Sequence, residues 1–279
     1  MLRTRVITAV FLLAAFLLAL FFLPPLGWLV FVSAVAAVAA WEWGGLMTAS
    51  EPLRSMLAAA LLIVCTAVSV LDPAAVGLQA DSAAAGWPTG ALFYLPAAAF
   101  WVVVAPLWLR RRWPLSHSPA LGVLTGAVVI LPAWLALVQL RQVGPLGLLA
   151  IMAVVWLADI GAYFAGRRFG AHKLAPTISP GKTWEGAIGG GLCVIVYGLL
   201  VSPRLPANLA GDWPLLIALL AGLTAMSIVG DLFESLVKRQ AGLKDSSNVL
   251  PGHGGVLDRI DSLTSTLPLV ALVWLLARH

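Results

Sequence analysis

The chain has 279 residues, 61% of them hydrophobic and only 10% charged, with a mean hydropathy of +0.98 and a formal net charge of +5. A water-soluble domain carries about 25% charged residues, so this composition excludes a chain that covers its own surface for water. The bilayer is its solvent. The positive charge does not argue for nucleic acid, because no basic segment interleaved with aromatic residues is present and basic residues collect on the cytoplasmic side of membrane proteins.

Long unbroken apolar runs, without strict alternation, argue against a transmembrane barrel, and backbone groups in lipid must bond within the chain. The predicted fold class is all-α, a polytopic integral membrane protein of about nine transmembrane helices. Each segment lies near the roughly 20 residues that a helical span needs. In chain order they cover 6–23, 26–48, 54–72, 89–109, 120–139, 146–166, 184–201, 213–237 and 262–278. The first is too long for the apolar core of a secretory signal and has no small-x-small cleavage site after it, so it reads as a membrane helix. Breaks fall at Pro24-Pro25, Glu51-Pro52, Asp72-Pro73, Arg110-Arg111-Arg112 and Gly144-Pro145, where proline, glycine or charge stops an apolar helix.

With the N-terminus in the cytoplasm, 14 of the 17 Lys and Arg residues fall on the cytoplasmic side, leaving only Arg141, Arg204 and Arg278 opposite. This asymmetry supports both the count and the orientation. Residues 1–115 read as a scaffold module. Residues 116–279 read as the working module, with cytoplasmic polar loops at 167–183 and 239–261. Glu42, between Trp41 and Trp43 near a segment end, reads as an interfacial residue in an aromatic belt. Cys65 and Cys193 lie in apolar runs and read as small core residues. No internal repeat favours an inverted-repeat transporter.

The eighth segment ends in SIVGDLFESLVKR. Asp231, Glu234, Ser235 and Lys238 share one helix face, with Asp231 about 10 Å deeper than Lys238. A structural Glu234–Lys238 or Asp231–Lys238 pair is the plainer alternative. Asp258 and Asp261 stand at i, i+3 where the last segment begins, as caps or as site residues. Three Asp and a Glu together call for a cation, and hard Mg²⁺ takes carboxylate and phosphate oxygens. Between them, His253, Gly254 and Gly255 form a glycine-rich turn whose amides can approach an anion.

In the other loop, Asp159 lies about 12 Å into the membrane, and with Asp231 it suggests a polar cavity open to the cytoplasm. Ser179-Pro180 reads as an N-cap with proline at the first helical position. That would place Lys182 and Thr183 in the first turn of the seventh helix, where phosphate is attracted. Gly186 and Gly190 read as a helix-packing face.

SLVKR at 235–239, Lys244-Asp245 and PGHGGVLDRID at 251–261, with SPGKTWEG at 179–186 and Asp159-x-x-Ala-Tyr163-x-x-Gly166-Arg167, resemble the motifs of the phosphatidate cytidylyltransferases, the CDP-diglyceride synthases. The likeness is close over about 155–261 and only general before it. It implies the reaction of CTP with phosphatidic acid to give CDP-diacylglycerol and pyrophosphate in phospholipid biosynthesis. It further implies Mg²⁺, with K⁺ as a candidate second ion of a two-metal centre, a homodimer, and the inner (cytoplasmic) membrane with the site facing the cytoplasm. On this resemblance Asp231, Asp258 and Asp261 are the expected metal ligands, and these with Lys238 the expected catalytic set. Lys182, Arg239 and Arg259 would neutralise phosphate. Ser179, Thr183, Glu185, His253, Gly254, Gly255 and Asp159 would supply further substrate contacts. A CTP-dependent lipid-alcohol kinase and an ion-coupled transporter are the alternatives.

Overall fold

A computed structural model describes residues 2–79, 87–115, 118–205 and 211–277. Within them the chain forms nine apolar helical spans. They are α1 (Leu2–Phe22), α2 (Pro25–Leu46), α3 (Glu51–Leu71), a continuous span Trp87–Arg111, α6 (Pro119–Gln142), α7 (Pro145–Phe169), α8 (Trp184–Val201), α9 (Trp213–Gln240) and α10 (Leu257–Ala277). Eight of these are long and apolar enough to cross a membrane, and Val6–Phe22 of α1 is a shorter apolar stretch. The span Trp87–Arg111 consists of α4 (Trp87–Ala99), a π-turn at Phe100–Val104 and α5 (Ala105–Arg111). The wide turn follows Pro96 and precedes Pro106, which together remove two helical donors. The loop expected after Asp72 is described as far as residue 79, and Arg278 lies outside the described residues.

Proline at the first or second helical position starts α2, α3, α6, α7 and α9, where its missing N–H costs nothing. The core runs through α2, α4, α6 and α10, with Trp28, Trp87, Trp101, Trp134, Leu135, Leu140 and Leu267 fully buried. Cys65 is buried, but Cys193 faces outward, against the expectation of a core residue.

Two helix crossings fix the site. At Gly230 a Cβ would come within 2.4 Å of Ser265 Oγ, so only glycine lets α9 approach α10 this closely. On the other side of α9, Phe233 is buried edge-on against Phe100, Trp101 and Trp108, with ring centroids 5.4, 5.6 and 5.5 Å away. This aromatic cage sets the rotation of α9 and turns Asp231 and Glu234 away from it. The hydroxyls along α10 are satisfied at short range: Ser265 donates to the Met226 carbonyl (2.8 Å) and Thr266 to that of Ser262 (2.7 Å). The second crossing joins α7 and α8. A Cβ at Gly190 would lie 2.5 Å from the Ala158 carbonyl and one at Gly189 2.2 Å from Ala165 Cβ, so the predicted small-residue packing face is present.

Between α7 and α8 stands a short antiparallel hairpin, β1 (Lys173–Ala175) and β2 (Ser179–Thr183). This corrects the expected helix start. Ser179 is not an N-cap, and Lys182 is not in a first helical turn. α8 begins at Trp184, and Thr183 caps it by accepting from the Gly186 N–H at 3.1 Å. Two features favour the strand: Pro180 and Gly181 are poor interior helix residues, and the Trp184 N–H closes onto the His172 carbonyl at 2.9 Å.

Candidate active site

A cleft of about 480 Å³ opens between α7, the hairpin, α8 and α9. Its polar wall is Asp159, Arg167, Ser179, Lys182 and Asp231, and Ala158, Ala162, Gly186 and Gly190 leave the room. The cavity expected between Asp159 and Asp231 is thus present, with Asp159 open to it rather than buried. Within it Lys182 Nζ lies 2.6 Å from Asp231 Oδ2, and Ser235 donates to Asp231 Oδ1 at 3.2 Å. Strand β2 delivers the lysine and α9 the acid.

One turn further along α9 lies a second, more enclosed acid group. Lys238 bridges Glu234 Oε2 at 3.1 Å and Asp258 Oδ1 at 2.5 Å. The Glu234–Lys238 pair considered as a structural alternative therefore exists, with Asp258 joined to it. Asp258 Oδ2 accepts from the Ser246 N–H (2.8 Å) and the Gly255 N–H (2.8 Å), and the Ser246 hydroxyl, whose one proton it shares with Glu42, lies 3.0 Å away. Asp261 stands beside the Glu234 carboxyl, acid against acid, and interacts with the charge on Asp231. Glu234 Oε1 is buried with no hydrogen-bond partner.

The remaining sequence-predicted residues are placed as follows. Thr183 is buried and spent on the cap. Glu185 accepts from His172 Nδ1 at 2.6 Å and from its N–H, holding the turn before the hairpin. Arg239 donates to the Leu243 carbonyl at 3.2 Å, and both it and Arg259 are exposed. His253 closes a tight turn onto Leu250 at 2.9 Å, and its Nδ1 is buried without a partner. Pro251-Gly252 supplies the turn, with Gly252 at φ +77°, the type II pattern of proline then a positive-φ residue. Gly254, at φ +82°, packs against Asp258. The amide of Gly255 approaches an anion, as its composition suggested, but that anion is the protein's own Asp258.

Glu42, too, stands elsewhere than the sequence suggested. It is not interfacial but fully buried, and it accepts four hydrogen bonds. Two come from the Ser246 and Ser247 hydroxyls (3.1 and 2.6 Å) and two from the Val256 and Leu257 N–H groups (2.9 and 2.6 Å).

The donor set suits a hard divalent cation in kind: carboxylates face each other across α9 and α10, and one buried oxygen lacks a donor. Among the described residues no three Asp, Glu, His or Cys side chains already stand in a metal-gripping group. Asp231 and Asp258 face different lysines.

The described residues thus form a polytopic helical membrane protein with a lysine- and acid-lined cleft beside one enclosed carboxylate group. Residues 3–277 match the Cytidylyltransferase family, and the chain belongs to that family. It is 41% identical over 283 residues to a phosphatidate cytidylyltransferase of Pseudomonas aeruginosa, covering 98% of this chain and 97% of the relative. Proteins of the same name from Haemophilus influenzae and Brucella suis are 36% and 38% identical, covering 96% and 97% of this chain and 96% and 92% of theirs.

Proposed function

We propose that the chain is a phosphatidate cytidylyltransferase, joining CTP and phosphatidic acid to give CDP-diacylglycerol and pyrophosphate at the cytoplasmic face of the inner membrane. The observation that carries this reading is the Lys182–Asp231 pair at 2.6 Å in the lining of the cleft. It lies in a chain whose near full-length relatives bear that name. Transfer of this kind requires positioning and charge neutralisation more than a covalent nucleophile. An oxygen of the lipid phosphate attacks the α-phosphorus of CTP, the bond from that phosphorus to the bridging oxygen breaks, and pyrophosphate leaves.

Lys182, on a hairpin wall and partly open to the cleft, turns from Asp231 to a phosphate oxygen when substrate enters. Arg167 and Ser179 line the same wall and give further donors. Before a cation binds, Lys238 holds Glu234 and Asp258 together and balances their charge. The acyl chains stay in lipid while the head group enters the cleft. Asp231 and Asp261 would hold Mg²⁺, with Asp258 joining them by giving up Lys238, and K⁺ would fill a second position. When bound, such cations neutralise the entering and leaving oxygens. In this reading residues 1–115 act as scaffold for the working module 116–279, and the chain works as a homodimer.

The test is purified protein in detergent with radiolabelled CTP and phosphatidate. Pyrophosphate and CDP-diacylglycerol are expected, ceasing with EDTA and in Asp231→Asn. Release of CDP in place of pyrophosphate would instead identify a lipid kinase, and undiminished turnover in Asp231→Asn would remove that residue from the site.

A further inference from the structure

Glu42 lies on α2, in the part of the chain farthest in sequence from the polar loops, yet its carboxylate is buried against the start of α10. Four donors lie within hydrogen-bond distance of it, one of them a hydroxyl whose proton it shares with Asp258, and it offers none. Two of those donors, the Val256 and Leu257 N–H groups, are among the amides that the first turn of α10 leaves without helical partners. The next amide back, that of Gly255, goes to Asp258, as does that of Ser246. The Ser246 hydroxyl lies between the two acids, 3.1 Å from Glu42 and 3.0 Å from Asp258. There is no slack in this arrangement: a Cβ on Gly255 would meet Ser246 Oγ at 2.0 Å and Glu42 Oε1 at 2.5 Å.

We propose that Glu42 is a positioning residue of the reaction. It clamps segment 246–257 to α2, and that segment fixes the Asp258 carboxylate and, through it, Lys238. Glu42 touches no substrate in this proposal. It acts because a misplacement of about 1 Å in a site can cost on the order of a hundredfold in rate. The activity part of the proposal rests on the cytidylyltransferase reading; the clamp itself does not.

Glu42→Gln is the informative variant, being of the same size. Each carboxylate oxygen takes one hydroxyl and one backbone N–H, so whichever way the amide turns, its NH₂ opposes a backbone donor. In full-length protein, kcat is expected to fall roughly ten- to a hundredfold, with KM for CTP and for phosphatidate held within about threefold. Amide hydrogen exchange over 246–257 is expected to quicken while α6 keeps its protection. Glu42→Gln combined with Ser246→Ala is expected to cost less than the product of the single effects, since both cut the same link. Wild-type kcat in Glu42→Gln would overturn the proposal. So would a rise in KM alone, exchange quickened equally throughout the bundle, or strictly multiplicative effects with Ser246→Ala. If wild-type protein consumes no CTP, the functional reading fails, and the exchange measurement still decides the clamp.

Discussion

Lys182 and Lys238 carry the same charge and play different parts. The first has a side chain 24% exposed on the cleft wall with one acid beside it; the second is 10% exposed between two. Losing a charge-assisted bond to phosphate costs about 1.5–3 kcal/mol. Lys182→Met should therefore lower kcat/KM for CTP roughly 10- to 150-fold in steady-state assays, with little change in thermal midpoint. Lys238→Met takes the shared cation from Glu234 and Asp258 in the interior, a loss on the order of 3–5 kcal/mol. It should lower the thermal midpoint in detergent first and activity as a consequence. The acid face of α9 was legible because Asp231, Glu234, Ser235 and Lys238 follow helical spacing, and Asp258 and Asp261 do the same on α10. Glu42 was not legible. Its four donors lie 204 to 215 residues away, and a glutamate between two tryptophans looks the same whether it meets lipid head groups or its own chain. The one available signal was the glycine-rich start of α10, whose free amides require an acid from elsewhere.

Helix existence was readable from apolar length, and the breaks from proline and charge. The hairpin before α8 was not, because Ser179-Pro180 imitates a helix start and the true cap, Thr183, stands four residues on. A hydroxyl that caps can be told from one that binds substrate. Thr183→Ser should keep both stability and turnover, whereas Thr183→Ala should lose about 1 kcal/mol, read from the thermal midpoint. Across α7 and α8 the limit is steric. Gly189→Val pushes side-chain atoms into Ala165 and should destabilise by about 1–3 kcal/mol. Because these two helices form two walls of the cleft, KM should rise with it. The aromatic cage around Phe233 had no sequence signature, since Phe100, Trp101 and Trp108 meet it only after α4, the π-turn and α5 bend past α9.

At the scale of the whole molecule, the distribution of basic residues predicts a cytoplasmic N-terminus and both polar loops on that side. In a background without Cys65 and Cys193, a cysteine at Arg204 should react with a membrane-impermeant thiol reagent applied from outside spheroplasts. One at Arg111 should react only after permeabilisation, and the reverse pattern would invert the topology. The contact between α2 and the start of α10 also sets an order of assembly. Residue 42 is synthesised early, whereas Val256 and Leu257 follow more than two hundred residues later. During translation this carboxylate has none of its final donors, so it must wait in water, at the lipid surface or with temporary partners until the start of α10 arrives. A nascent chain halted after α9 would hold most of the described helices and none of the groups that bond this carboxylate. The clamp therefore closes only once the start of α10 has been made.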